Sequence, residues 1–171
     1  MKTRKLVFLA VMAAVAVALS IVESVISTFI FIIPGVKLGL ANIITLVIMY
    51  YYSDRDAFLV VVIRIFLTGL LYTGLFEPAF WMSLAGGLLA FLAMFILKRV
   101  KIFSIMSVSV FGALMHMVGQ ILAAIVVLDT ETLLYYLPYM MVIAVPTGIF
   151  TALVAKKLLV ILKKQASTTT K

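Results

Sequence analysis

Arg64 is followed at i+4 and i+8 by Thr68 and Tyr72 within an otherwise apolar run, a spacing that puts a guanidinium, a hydroxyl and a phenol on one helix face. An arginine inside a bilayer costs about 2.5 kcal/mol or more, so Arg64 should face the bundle interior or a wet cavity and have a partner. Glu23 and Glu77 are the candidates. A structural ion pair, snorkelling and contact with a substrate all fit this position. A second polar stripe, Gly112, His116 and Gln120, repeats at i+4 beside Ala113, Gly119 and Ala123. His116 could bind a ligand or relay a proton, or it could be held by Gln120 as part of the packing. The third feature is Pro34-Gly35-Val36-Lys37-Leu38-Gly39-Leu40-Ala41-Asn42, where a turn, a cation and an amide interrupt a long apolar stretch.

The chemistry the chain lacks narrows its function. It has no cysteine and only one histidine, which excludes disulfides, thiolate chemistry and a multi-histidine metal cluster. It has no phosphate-binding Gly-x-x-x-x-Gly-Lys-Ser/Thr loop and no aspartate-rich pair of motifs to gather Mg²⁺ around a prenyl diphosphate. The only close aspartate pair is Asp54 and Asp56. No metal or cofactor is expected, and the chain is not expected to be an enzyme by itself.

The elements that must position these residues are membrane helices. Of 171 residues, 66% are hydrophobic and 12% charged, and the mean hydropathy is +1.32, against about 25% charged residues in soluble proteins. The reading is an all-α integral membrane protein with six spans, at 6–33, 37–52, 57–76, 79–97, 103–128 and 133–162. The apolar run that starts at Leu6 resembles a signal peptide but continues to Ile33, which argues against cleavage. That run is too long for one straight crossing, so a break is expected after Glu23, with 24–33 bent or re-entrant at the outer surface. Short connections make successive helices antiparallel neighbours. Twelve of the fourteen lysines and arginines then fall on the side of the N-terminus, leaving Lys37 outside and Arg64 within a span. The positive-inside rule accordingly places both termini in the cytoplasm. Residues 1–164 read as one transmembrane domain and 165–171 as a disordered cytoplasmic tail.

Other faces carry packing or docking signals. Ala10, Ala14 and Ala18 make a flat strip that could pack inside the bundle or dock a partner helix. Ser83, Gly86, Gly87 and Ala90 form a small-residue face suited to close helix packing. Tyr135, Tyr136 and Tyr139 suit an outer aromatic belt or ligand stacking, and Pro138 and Pro146 could kink the last helix and open an outer cavity.

The stretch from Pro34 to Asn42, with Arg64, Ser83-Leu84-Ala85-Gly86-Gly87 and the run from Gly112 to Gln120, resembles the Gx transporter family, often labelled heptaprenyl diphosphate synthase component I. The resemblance covers about residues 5–162, with Met117 standing where asparagine is expected after the histidine. The family is in turn similar to the substrate-binding S-components of energy-coupling-factor (ECF) transporters. That resemblance implies six helices, cytoplasmic termini and an outward cavity capped by the first loop. It also implies that Ala10, Ala14 and Ala18 dock on a transmembrane coupling protein driven by cytosolic ATPases. The expected function is therefore uptake of a small molecule. Lys37 and Arg64 would supply positive charge, and Asn42, Thr68, His116 and Gln120 hydrogen bonds. Tyr72, Trp81 and Tyr135 would provide apolar or stacking surface. The alternative is a non-catalytic membrane subunit supporting isoprenoid, quinone or flavin-linked metabolism.

Overall fold

The computed structural model describes residues 2–30 and 36–169, and within these the secondary structure is helical. Helix α1 spans Lys2–Ile30. Its 29 residues reach about 43 Å at ~1.5 Å per residue, more than a ~30 Å hydrocarbon core, so α1 tilts or projects. It buries Ala13, Ala16, Val17, Ser20, Glu23 and Ser27, a single stripe at helical spacing. The expected break after Glu23 does not occur. No proline or glycine precedes Pro34, and the hydroxyls of Ser24 and Thr28 donate back to Ser20 O at 2.7 Å and Ser24 O at 2.9 Å. These polar side chains are thus satisfied within the helix. The expected termination by Pro34 and Gly35 lies outside the described residues.

Helix α2 spans Asn42–Tyr51 and starts five residues later than the sequence predicts, because Val36–Ala41 is irregular and Gly39 sits at φ 90°. Its ten residues are too few to cross a bilayer. Every side chain from Asn42 to Met49 is buried, and α2 touches each of the other five long helices. Helix α3 (Asp54–Thr68) continues into a π-helical turn at Gly69–Thr73. Helix α4 (Pro78–Arg99) begins with its proline in the first turn, where a missing N–H costs nothing. Helix α5 covers Ile105–Leu128 and ends at Asp129 in the left-handed conformation. A 3₁₀ segment, Glu131–Tyr136, leads into α6, Leu137–Thr169, which runs on through 165–169, the stretch expected as a tail. Among the described residues, five helices are long and apolar enough to cross a membrane, and α2 is the short sixth.

Close backbone approach holds α4, α5 and α6 together, as expected where lipid offers no hydrophobic drive for helix association. A Cβ on Gly119 would lie 2.6 Å from Ala85 O and 2.8 Å from Gly86 Cα. On the other side of α5, a Cβ on Gly148 would lie 2.6 Å from Val110 Cα, and Ser109 Oγ donates to Gly148 O at 2.7 Å. Apolar clusters fill both ends of the bundle. One joins Ala16, Leu46, Ile48, Val60, Met94 and Leu159, and the other joins Val36, Met82, Met117, Ile121 and Met140.

A polar network closes one end. Lys98 Nζ donates to Met49 O at 2.6 Å, near the C-terminus of α2, and meets Asp54 Oδ1 at 2.5 Å. Lys5 pairs with Asp56 at 2.7 Å. Ser53 caps α3, accepting from Asp56 N at 3.2 Å while donating to Asp56 Oδ2 at 2.6 Å. Four helices are tied together there.

Candidate functional site

Irregular backbone buried among membrane helices needs partners for its amide groups, since hydrocarbon supplies none. Val36–Ala41 obtains them from two side chains on neighbouring helices. Gln120 of α5 accepts from Lys37 N at 2.6 Å through Oε1 and donates from Nε2 to Lys37 O at 2.7 Å, pairing with this backbone as a strand would. Glu23 of α1 accepts from both Gly39 N and Leu40 N, the second at 3.0 Å. The positive φ of Gly39 aims both N–H groups at one carboxylate oxygen, and the tight turn passes Asn42 and His116. A Cβ at Gly39 would come within 3.0 Å of Asn42 Nδ2 and 3.1 Å of His116 Cδ2.

Behind this segment lies a small void lined by Ser20 and Glu23 of α1, Lys37 and Gly39, Arg64, Ile65 and Thr68 of α3, Ser83 of α4 and His116 of α5. Its volume is about 20 Å³, room for one water molecule. Lys37 and Arg64 are both buried, each 5% exposed. The Glu23 carboxylate attracts both, yet among the described residues neither cation forms an ion pair. Asn42 Oδ1 and Nδ2, Thr68 Oγ1, Ser27 Oγ and both nitrogens of His116 are buried with no hydrogen-bond partner among the described residues. Buried polar groups are normally paired, and each left unpaired costs on the order of 1–3 kcal/mol. The void thus holds two cations, a carboxylate already engaged by backbone, and a set of unused donors and acceptors.

Four of the residues predicted from sequence, Lys37, Arg64, Thr68 and His116, line the void, and Asn42 and Gln120 are buried beside it. The rest lie elsewhere. Tyr72 is 49% exposed in the π-helical turn, Tyr135 is 85% exposed, and Trp81 is 39% exposed with its Nε1 donating to Phe76 O at 3.0 Å. None of the three reaches the void, because α3, α4 and the 3₁₀ segment turn these rings outward. Glu77 is exposed too and does not pair with Arg64. The expected opening at the prolines of α6 is likewise absent from the lining, which draws on α1, the Val36–Ala41 segment, α3, α4 and α5.

Ser20 and Ser83 line the void without having been expected there, and Glu23, expected only as a partner for Arg64, lines it as well. For the two on α1 a signal was present: positions 13, 16, 17, 20, 23 and 27 follow helical spacing, and a helix unbroken at Glu23 puts them on one buried face. Ala10, Ala14 and Ala18, by contrast, are exposed beside Val7, Val11 and Val15. The strip is therefore not used for packing inside the bundle. Among the described residues, no three histidine, aspartate or glutamate side chains come together as a metal site.

The helices and their buried polar centre define a multi-pass membrane protein. A family model described as heptaprenyl diphosphate synthase component I matches residues 12–158, and the chain belongs to that family. No curated protein and no solved structure matches the chain.

Proposed function

We propose that this protein is a substrate-binding membrane subunit of the S-component type, which captures a small anionic molecule and takes it up with energy from partner proteins. The observation that supports this reading is the void between Lys37 and Arg64, where two buried cations lack an ion-pair partner among the described residues. Keeping such groups at membrane depth is costly, and a ligand that completes them offsets the cost. Lys37 and Arg64 take the negative group, while Asn42, Thr68 and His116 supply hydrogen bonds. Helix α2 starts beside Gly39, inside the bundle, so the positive end of its dipole adds to the attraction, as in transporters with discontinuous helices. The void is too small for a metabolite in this state, and entry requires Val36–Ala41 to move outward. Glu23 and Gln120 then act as the latch of a gate.

In this reading the chain makes six passes, the second completed by Val36–Ala41 together with α2. Both termini lie in the cytoplasm, residues 1–164 form one domain, and the protein resides in the cytoplasmic membrane. The gathering of lysine and arginine at the end of the bundle that carries the N-terminus supports this orientation. The exposed strip of Ala10, Ala14 and Ala18 docks a coupling protein that carries the ATPases. The family description favours a second reading, in which the chain is a non-catalytic membrane subunit beside a prenyl diphosphate enzyme of isoprenoid, quinone or flavin-linked metabolism.

A thermal-shift panel on the purified protein separates charge classes. Small carboxylates and phosphates are expected to raise the melting temperature, and neutral or cationic compounds are not. A ligand at 100 times its Kd contributes about 2.7 kcal/mol of stability. The anion-induced shift should vanish in Arg64→Ala. A shift produced by cations, or one that Arg64→Ala leaves intact, would remove the reading.

A further inference from the structure

A second concave feature lies at the opposite end of the bundle, between the start of α3 and the end of α4. It has a volume of about 690 Å³ and opens outward, with Phe58, Leu59, Phe91 and Phe95 as an apolar floor and Arg55 and Arg99 at its mouth. The floor is ordered by ring contacts: Phe58 and Phe91 lie 5.3 Å apart and Phe91 and Phe95 6.0 Å apart. The Arg99 guanidinium rests 3.9 Å above the Phe95 ring, which leaves its edge donors free. Both arginines are exposed, and neither forms an ion pair among the described residues. The carboxylate that also lines the groove, Asp54, is neutralised by Lys98 at 2.5 Å. The mouth is therefore net positive, and it sits at the end of the bundle rich in lysine and arginine, where a bilayer would present its headgroups.

We propose that this groove holds one anionic phospholipid, its phosphate between Arg55 and Arg99 and an acyl chain along Phe58, Phe91 and Phe95. Charge complementarity selects this occupant: a basic mouth over an apolar, bilayer-facing floor suits a molecule with a phosphate head and a hydrocarbon tail. A partner helix would bury both guanidinium groups against hydrocarbon and leave them unpaired. The site is separate from the void behind Val36–Ala41 and shares no residue with it.

The test is native mass spectrometry of the full chain, delipidated and then titrated with phosphatidylglycerol or phosphatidylcholine of the same chain length. Phosphatidylglycerol is expected to bind as one tight adduct. The double variant R55Q/R99Q should weaken it about 30-fold, roughly fivefold per arginine. Lys101→Gln, which removes a nearby exposed charge outside the groove, should leave it unchanged. The same lipid should also protect Arg55 and Arg99 from guanidinium-directed labelling. Equal binding of phosphatidylcholine would overturn the proposal in favour of a merely apolar groove. Equal protection by glycerol phosphate would reduce the groove to an anion site. An equal loss in Lys101→Gln would reduce it to diffuse surface charge. Both arginines are exposed, so folding of the double variant, checked by circular dichroism, is not expected to change.

Discussion

Glu23 illustrates how a charged residue in a membrane helix can serve the backbone. Its carboxylate accepts from the N–H groups of Gly39 and Leu40, so truncating it leaves two buried donors without an acceptor. Glu23→Ala is expected to lower stability by about 2–5 kcal/mol, read from thermal melts in detergent, with Glu23→Gln milder because its amide oxygen still accepts. An unchanged melt in Glu23→Ala would contradict the latch. His116 makes the opposite prediction, since neither ring nitrogen has a well-formed hydrogen bond among the described residues, with the backbone of Gly86 near the ring. His116→Leu removes a desolvation cost and should leave the empty protein as stable or more so, while weakening ligand binding about tenfold or more. A large loss of stability would show that His116 serves the fold rather than a ligand. Lys37, Arg64, Asn42 and His116 were legible in the sequence because polar residues in apolar runs stand out. Glu23 was visible but misplaced, since a break was expected at the residue where the helix continues. Gln120 was expected to face a substrate, yet both ends of its amide engage Lys37, a pairing across 83 positions that local spacing does not encode.

Among the elements, α2 departs furthest from the sequence reading, which extended it to Lys37. Hydropathy cannot separate a buried irregular segment from a helix, because both are apolar and both are enclosed. The distinguishing feature is Gly39, whose φ of 90° aims two N–H groups at Glu23. Gly39→Ala would strain that conformation and press a Cβ toward Asn42 and His116. The expected cost is about 1–3 kcal/mol, measurable as a lower melting temperature together with faster amide exchange over 36–41. At the other end of α2, Lys98 ties Met49 O to Asp54. Lys98→Met should cost about 1.5–3 kcal/mol in the same melts, reflecting lost charge-assisted hydrogen bonds. The α4 and α5 boundaries were legible to within two residues, whereas α3 with its π-helical turn stops at Thr73, short of 76, and α6 begins at Leu137 and runs on past 162 to Thr169. In the structure Ser53 and Ser104 cap α3 and α5, and Pro78 occupies the first turn of α4.

For the whole molecule, the polar groups divide between the two ends of the bundle. The Lys5, Asp56, Asp54 and Lys98 network locks one end of α1–α4, and the opposite half holds an irregular segment over incompletely paired cations. A bundle rigid at one end and latched at the other suits a protein that opens on one side only. Class and family were legible from composition and motifs, while the number of complete spans was not, because α2 needs neighbours on every side to be stable at ten residues. The proposed partner surface also belongs to this scale. Ala14→Trp would roughen the exposed alanine strip without touching the interior, and it should abolish co-purification with a coupling protein while leaving the melt unchanged. Retained co-purification would exclude the strip as the contact.

On the proposed reading, Lys37 and Arg64 are held at membrane depth for an anionic ligand. Native mass spectrometry of the gently purified protein beside the double variant K37A/R64A tests it most directly. A retained small anion in the wild type, absent from a variant that still melts cooperatively, is the predicted result. The same molecule at equal occupancy in both, or a retained molecule that carries no negative charge, would contradict it.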